Sequence, residues 1–437
     1  MNRRAIPVGL LMVCAIAIGA SPARADAVTH WSEVAGNAAL ACGISPGANP
    51  LHESRMYAMT HLAVHDALNA IDRRSRPYAL DIRVQPWASV DAAVAAAARG
   101  VLVVLLGQVS APFDCSGAIA PVEAAYTAAL GAIPPSTAKD AGLQVGQAAA
   151  AAILDLRAND GSDTPLLDFA YPQGTQPGEY RFTPNFNFVF APGWADVTPF
   201  VLHHASQFRP GQPPYAVTSR AYADDYHEVK ALGARIGSTR SADETQTALF
   251  WVESSPLQWN RIGRTVSAAR GLDPWENARL FGLLNMALAD GYVGSFEAKA
   301  HYNFWRPVTA IRNGDADGNP DTLGDSLWEP LVDTPPITDY DSAHSVEGAA
   351  ASEVFQAFFG TDDISFTTCS LTLPAGSTCS DPAAVLRSFA SFSQAAEENG
   401  RSRILVGFHF RHAVEAGLTH GRQIGKRAVE LFLKPVQ

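Results

Sequence analysis

Helical patterns with recognisable first turns recur along the whole chain, and they limit its fold more than any other feature. Ser241 and Glu244 form a capping box, and Asp273 before Pro274 begins another helix. Strand-like alternation of apolar and polar residues is scarce. The sequence therefore predicts an all-α fold, built as a single large helical domain over residues 26–437.

The first 25 residues have the pattern of a secretion signal. Arg3 and Arg4 precede an apolar run, and Ala23 and Ala25 are the small residues that signal peptidase reads. An uncleaved anchor is the alternative, but the apolar run is short and a cleavage site follows it. We expect cleavage near Ala25 and a periplasmic or secreted protein.

The cysteine count fits an oxidising compartment. Four cysteines follow the signal, namely Cys42, Cys115, Cys369 and Cys379. An even number in an exported chain predicts two disulfides, with free thiols as the alternative. The simplest of the three pairings joins Cys42 to Cys115 and Cys369 to Cys379.

The chain is acidic, with 32 lysine and arginine residues against 43 aspartate and glutamate residues and a net charge of −11. This balance makes nucleic acid and anionic membrane surfaces poor partners. The apolar stretch after Val90 is interrupted by Asp91 and Arg99, so we expect no stable membrane span in the mature chain. Any anion site must concentrate its positive charge locally.

Two patterns resemble metal sites but do not support one. His61 and His65 lie one helical turn apart, yet no third ligand with suitable spacing follows, so we interpret them as core histidines. The segment 313–321 resembles the start of a calcium loop, but its twelfth position is Gly324 where a bidentate glutamate belongs. Calcium is therefore not expected as a cofactor.

Other patterns concern the scaffold alone. The Pro-, Gly- and Phe-rich segment 164–214 holds too many aromatic residues for a disordered linker, which predicts an ordered crossover loop. Gly417, Gly421 and Gly425 fall on one helix face and predict close helix packing. A helix is predicted from Asp381 to about Gly400.

Lys299 and Arg306 stand seven positions apart among aromatic residues, and Pro307 follows them. Seven residues make two helical turns, so a continuous helix would place both cations on one face. Cations on such a face usually meet solvent, but the aromatic surroundings favour burial, and buried cations need an anionic partner. The spacing therefore predicts a clamp for an anion.

Two further motifs can complete this clamp. Ser342, Ala343 and His344 begin a helix rich in small residues, and the free N–H groups at such a start attract anions, although an ordinary cap is the alternative. Arg403 and His409 are about 120° apart on an ideal helix, so they converge only if Arg403 reaches around. Together the motifs supply what a tetrahedral oxyanion needs.

In this order, Lys-x6-Arg-Pro, Ser-x-His and Ser-Arg-x5-His resemble the signature of a known superfamily. It joins type 2 phosphatidic acid phosphatases, bacterial acid phosphatases and vanadium-dependent haloperoxidases. The segments HYNFWRPVTAIR and GFHFRHAVEAGLTHGRQIG are most similar to its bacterial haloperoxidase-like branch. The motifs lie in residues 299–409, and the resemblance implies a fold of two packed four-helix bundles.

The resemblance also implies roles for individual residues. His344 would be the acid/base, and His409 would bond to the vanadium of vanadate in a haloperoxidase or attack phosphorus in a phosphatase. Three cations and two hydrogen-bond donors would hold the oxyanion: Lys299, Arg306, Arg403, the Ser342 hydroxyl and the Ala343 amide.

This chain departs from the superfamily's pattern at three positions. The usual Pro-Ser-Gly-His has become Asp341-Ser342-Ala343-His344, which adds a carboxylate and removes a glycine that suits close approach to the anion. Many members also carry an Asp four residues after the last His, where it orients the imidazole, and here that position is Ala413. Asp290 and Glu297 are the candidate replacements.

Three functions remain open on this basis. A haloperoxidase would bind vanadate and oxidise halide with hydrogen peroxide, whereas a phosphatase would hydrolyse a phosphate ester through a phosphohistidine. The long region ahead of Lys299 favours the haloperoxidase over the small bacterial acid phosphatases, and the expected lack of membrane helices disfavours the lipid phosphatases. The departures at Asp341, Ala343 and Ala413 motivate the third function, a non-catalytic oxyanion-binding relative.

Overall fold

The computed structural model describes residues 26–109 and 112–436, and most of them lie in α-helices. The predicted signal segment lies outside these residues, so export stays a prediction. The helices are α1 (Ala27–Cys42), α2 (Pro50–Ile71), α3 (Val90–Gln108), α4 (Ser116–Gly131), α5 (Thr137–Leu156), α6 (Arg220–Leu232), α7 (Ala242–Phe250), α8 (Ser255–Arg270), α9 (Pro274–Tyr302), α10 (Pro307–Arg312), α11 (Ala343–Phe359), α12 (Phe392–Leu405) and α13 (Arg411–Leu431).

Two groups of four helices form the body of the protein. Helices α2, α3, α4 and α5 pack together with α1 against them, and helices α9, α11, α12 and α13 form the second group. The groups meet where α2 packs on α9, and one cluster of buried apolar residues runs through both. This architecture confirms the predicted all-α, helical-bundle fold.

Local sequence accounts for where several helices begin. Ser241 caps α7 with the predicted capping box, and Asp273 caps α9 with a second box whose partner is Glu276. Helix α9 is buried along almost all of its length, because helices of both groups and the crossover loop surround it. In its last turn Ala300 and His301 are exposed, whereas Lys299 lies on the face that stays buried.

Strands are few and short. Leu167–Asp168 (β1) pairs antiparallel with Val189–Phe190 (β2), and Phe366–Cys369 (β3) pairs antiparallel with Leu386–Phe389 (β4). The second pair corrects the helix predicted from Asp381, because α12 begins only at Phe392 with Ser391 as its cap. The β3–β4 hairpin contains the Cys369–Cys379 disulfide. The helix prediction from capping residues did not take into account the constraint that this disulfide places on the backbone.

The structure also settles other scaffold predictions. Cys42 is bonded to Cys115 as the simplest pairing predicts. Segment 164–214 is an ordered crossover with Tyr180 and Trp194 fully buried. Within the described ranges, α3 is the single helix long and apolar enough to cross a membrane by length and composition, and more than half of it is buried in the bundle.

The core histidines of α2 differ from each other. His65 contacts Asp66 and Ser75 through its two ring nitrogens, at 3.0 and 2.7 Å. His61 stacks on Phe281, and neither of its ring nitrogens has a hydrogen-bond partner in the described part of the chain. Burial lowers the pKa of His61 to about 3, so its imidazole is neutral at ordinary pH.

Glycines allow α13 to lie directly on α11. A Cβ atom added at Gly417, Gly421 or Gly425 would fall 2.7, 2.1 and 2.6 Å from the carbonyl oxygens of Ser342, Val346 and Ala350. These distances are too short for any side chain, and each step on α13 matches one turn of α11. The predicted close packing is confirmed, and it places α13 against the start of α11.

Gly421→Ala is expected to destabilise the protein by about 1–3 kcal/mol, because the new methyl group would overlap the α11 backbone. Thermal unfolding followed by circular dichroism measures the change. Gly117→Ala is a matched control, since Gly117 is also helical and no atom lies within 4 Å of its added Cβ. The control should be at least as stable as the wild type. Equal melting temperatures for both variants would contradict the close packing.

Candidate active site

Lys299 reaches from the last turn of α9 into the segment that precedes α11. Its Nζ donates hydrogen bonds to the carbonyl oxygens of Thr338 and Asp339 at 3.0 and 2.8 Å, and also to that of Asp341. The side chain is buried, and burial with the nearby charge of Arg306 lowers the pKa of Lys299 to about 7. Lys299 therefore fixes segment 338–341 and carries a charge that is sensitive to its surroundings.

Arg306 does not share a helix with Lys299, which corrects the continuous helix predicted from their spacing. Helix α9 ends at Tyr302, Asn303 adopts the left-handed conformation with φ 46°, and Arg306 immediately precedes the next helix, α10. Long-range contacts hold this break, since the backbone N–H of Trp305 donates to the carbonyl of Gly178. The clamp thus forms across a helix break.

The Arg306 guanidinium is buried and faces His409. Its Nε donates to the carbonyl of Ile337 at 2.6 Å, and one terminal nitrogen donates to the carbonyl of Phe408 at 2.9 Å. The same nitrogen lies 2.9 Å from Nε2 of His409. Burial lowers the pKa of Arg306 below its ordinary value, and the carboxylate of Asp339, 3.9 Å away, opposes that shift.

Arg403 brings a third buried cation from the last turn of α12. One terminal nitrogen donates to the carbonyl of Trp251 at 2.8 Å, while Nε has no acceptor among residues 26–109 and 112–436. Burial and the nearby Arg306 charge lower the pKa of Arg403 to about 9. A buried donor without an acceptor is costly, which favours an anionic ligand beside it.

His409 follows a reversal of the chain, so it is not on the same helix as Arg403. Helix α12 ends at Leu405, and Gly407 takes a φ of 86° that a residue with a side chain rarely adopts. The N–H groups of Phe408 and His409 then both donate to the carbonyl of Arg403, at 2.9 and 3.2 Å. The turn, rather than a reach around the helix, brings the two predicted residues together.

The electrostatic surroundings keep His409 neutral. Burial, and then the charges of Arg306, Lys299 and Arg403, hold the pKa of His409 well below its usual range. A neutral imidazole has a lone pair on one ring nitrogen. That lone pair is what a metal bond or a nucleophilic attack requires.

The start of α11 lies in the same place, as the sequence predicts. Ser342 stands at the N-cap position without a side-chain hydrogen bond to the first turn, and the N–H groups of Ala343 and His344 have no carbonyl partner one turn earlier. Ser345 donates its hydroxyl to the Ser342 oxygen at 2.9 Å, which leaves the Ser342 proton free to be donated elsewhere. We call the Ser342 hydroxyl and the Ala343 and His344 amides the cradle.

His344 is held by two neighbours. Its Nδ1 lies 3.3 Å from the Ser255 hydroxyl, and its carbonyl accepts a hydrogen bond from Asn399 at 3.2 Å. Burial and the charge of Arg403 hold the pKa of His344 well below its usual range. An added negative charge would raise this pKa and let the imidazole take up a proton.

The carboxylate that contacts His409 is Asp339, which the sequence reasoning missed. Its Oδ1 lies 2.9 Å from Nδ1 of His409, and burial raises the pKa of Asp339 to about 7. The candidates Asp290 and Glu297 are wrong, because Asp290 accepts three backbone N–H groups of residues 200–202 and Glu297 pairs with Arg209. Asp339 is thus the carboxylate that lies beside His409, where Ala413 supplies none.

The carboxylate of Asp341 is also accounted for. It accepts a hydrogen bond from Ser295 at 2.7 Å and lies 2.8 Å from Nδ1 of His420, and all three side chains are buried. The methyl group of Ala343 packs on an apolar cluster that includes Leu51 and Ile337. The departures at positions 341, 343 and 413 thus leave the arrangement of cations, cradle and histidines complete.

All seven predicted site residues meet in one cage built from α9, α10, α11, α12 and the turn before α13, and all but the half-buried Ala343 and His344 are buried. Residues 279–437, which contain every one of them, match the family model of the VCPO second helical-bundle domain. The fold is that of the vanadium haloperoxidases, and the predicted resemblance is confirmed.

Individual relatives are similar at low sequence identity. The vanadium chloroperoxidase of Curvularia inaequalis is 27% identical over 179 residues, and the match covers 34% of this chain and only 29% of that protein. The crystal structure of a bacterial vanadium-dependent iodoperoxidase has a TM-score of 0.76 at 24% identity, covering 94% of this chain and 97% of its own. The holo form of a bacterial vanadium-dependent chloroperoxidase has a TM-score of 0.73 at 16% identity, covering 94% and 98%.

Proposed function

We propose that this protein is a vanadate-dependent haloperoxidase that oxidises halide with hydrogen peroxide. One observation carries the proposal: three buried cations, Lys299, Arg306 and Arg403, converge with a helix start on a neutral His409. The similarity to vanadium haloperoxidases over nearly the whole fold supports it.

The donor set fits vanadate. Arg403 has a buried Nε without an acceptor in the described residues, and the cradle presents N–H groups and a hydroxyl. Nε2 of His409 accepts a hydrogen bond from Arg306, and its lone pair is the one available to bond to vanadium. Arginine, lysine and helix N-termini are the groups that hold tetrahedral oxyanions in proteins.

The residues would divide the work as follows. Bound vanadate would act as the Lewis acid that activates hydrogen peroxide toward halide. Lys299, Arg306 and Arg403 would neutralise its charge, while the cradle fixes its orientation. His344, held through Nδ1 by Ser255, would accept or deliver a proton at Nε2. Asp339 would hold the His409 ring so that Nε2 faces the anion.

We also propose that the protein acts after export, in the periplasm or outside the cell. The N-terminal segment has the composition of a signal peptide, and two disulfides join Cys42 to Cys115 and Cys369 to Cys379. Disulfides persist in oxidising compartments and are rare in the cytosol. Fractionation of producing cells, with the N-terminus of the mature protein read by mass spectrometry, tests export.

The test of function uses purified protein loaded with vanadate. Halide oxidation with hydrogen peroxide is measured for chloride, bromide and iodide, and phosphate-ester hydrolysis is measured on the same sample without vanadate. Oxidation that depends on vanadate and is lost in Arg403→Ala supports the haloperoxidase. Hydrolysis without oxidation would instead support the phosphatase, and neither activity would leave an oxyanion-binding relative.

The affinity of the cage for sulfate is expected to fall as the pH rises from about 6 to 9. Sulfate keeps its charge over this range, whereas the Lys299 ammonium and the Asp339 carboxyl group each lose a proton near pH 7. A bound dianion stabilises the protonated form of both groups, so binding takes up protons, and the affinity falls by up to about tenfold per pH unit for each proton. Isothermal titration calorimetry measures this, and Lys299→Met should flatten the profile. An affinity that rises with pH would contradict the assignment.

A further inference from the structure

Asp341 occupies a buried position between two helices of the second bundle. Ser295 of α9 donates to Oδ1 at 2.7 Å, and Nδ1 of His420 of α13 lies 2.8 Å from Oδ2. Asp341, Ser295 and His420 are at most 1% exposed. Both carboxylate oxygens are therefore engaged by fixed elements of the scaffold.

The main chain around Asp341 is held by the same two helices. Its carbonyl accepts a hydrogen bond from Lys299, one turn after Ser295 on α9. The next N–H, that of Ser342, donates to the carbonyl of Ala413 at 3.0 Å, two turns before His420 on α13. Each helix thus grips both the side chain and the main chain immediately before the cradle.

Charge makes this arrangement more than packing. A buried carboxylate without a partner costs several kcal/mol, so the Asp341 contacts to Ser295 and His420 are needed to keep it in place. If the carboxylate turned out of this site, the carbonyl that holds Lys299 and the N–H that holds Ser342 would move with it. The side-chain contacts therefore control the position of groups that face the oxyanion.

We propose that Asp341 and His420 form a positioning pair that fixes Lys299 and the cradle in the geometry that accepts an oxyanion. The proposal rests on the proposed function only in that the cage binds such an anion. A positioning role predicts the opposite effect on anion binding from a simple repulsion between the Asp341 carboxylate and the anion. If Asp341 acted only through its negative charge, its removal would strengthen anion binding.

The sign of one substitution separates these two effects. Asp341→Asn is expected to weaken vanadate binding by about 10-fold or more, the usual range for residues that support a ligand through another group. His420→Gln should weaken it to a similar extent. The double variant should bind vanadate no more weakly than the weaker-binding single variant, because both changes disrupt one unit. Calorimetric titration of orthovanadate into protein dialysed free of anions gives the three affinities.

A second buried pair supplies the control. His65 lies 3.0 Å from Asp66 in α2, in the other helix bundle, and both side chains are as buried as the Asp341–His420 pair. His65→Gln should lower the melting temperature without changing vanadate affinity. Tighter binding by Asp341→Asn would overturn the proposal. So would a His420→Gln variant that loses stability while its vanadate affinity stays at the wild-type value.

Hydrogen exchange in the absence of any anion keeps this test separate from the proposed function. Amides of residues 342–346 should exchange faster in Asp341→Asn and His420→Gln than in the wild type and in His65→Gln. If the wild type binds no vanadate, the proposed function fails, and faster exchange would still support the positioning pair. Unchanged exchange in both variants would overturn the pair whatever the vanadate result.

Discussion

Replacing His409 with alanine is expected to abolish vanadate-dependent halide oxidation while some anion binding remains. Lys299, Arg306 and Arg403 still supply charge, but no nitrogen is left to bond to the vanadium. Bound vanadium is measured by elemental analysis, and oxidation is followed spectrophotometrically on the same sample. The rate should fall to that of free vanadate.

His344→Ala provides the comparison for this variant. Its loss removes an acid/base and not a bond to the cofactor, so the rate should fall by about 10²–10⁴-fold with vanadate retained. A His409→Ala protein that oxidises halide at the wild-type rate would contradict the role assigned to His409. Equal loss of bound vanadium in the two variants would show that they do not differ in the way proposed.

Asp339→Asn is expected to lower turnover by about 10–100-fold without weakening vanadate binding. The substitution removes the carboxylate that lies 2.9 Å from His409, so the imidazole loses its orientation. It also removes a negative charge 3.9 Å from Arg306, which favours the anion. Turnover per bound vanadium and the calorimetric affinity test both parts. Unchanged turnover would show that His409 does not depend on Asp339.

Ala413→Asp tests the same assignment from the opposite side. Ala413 is fully buried and lines a small cavity together with Asp339, so a second carboxylate there would be desolvated beside the first. We expect a lower melting temperature and no gain in halide oxidation. A clear gain would mean that His409 lacks an orienting carboxylate in the wild type after all.

The features that could be predicted from the sequence depend on local rules. The start of α11 at Ala343 follows from a serine before a run of small residues, and the glycine face of α13 follows from a four-residue period. The cations and histidines of the site could be predicted because the three motifs resemble the signature of a known superfamily. None of these predictions requires information about which distant segments of the chain are in contact.

The features that could not be predicted depend on distant contacts. Helix α9 stops at Tyr302 because Asn303 turns left-handed and the chain pairs with the crossover near Gly178. Asp339 precedes His409 by 70 positions, so no spacing rule joins them. An acid shortly before the Ser-x-His motif was the available signal, and Asp339 and Asp341 both have that position.

The glycine face of α13 has a mechanical consequence. Between Gly417 and the carbonyl of Ser342 there is no side chain whose rotation could absorb a displacement. Rigid backbone contacts of this kind transmit movement directly. A displacement of α13 is therefore passed to the start of α11, where the cradle lies. A bulky residue at Gly425 is therefore expected to displace the cradle as well, although about 12 Å of helix separates Gly425 from Gly417.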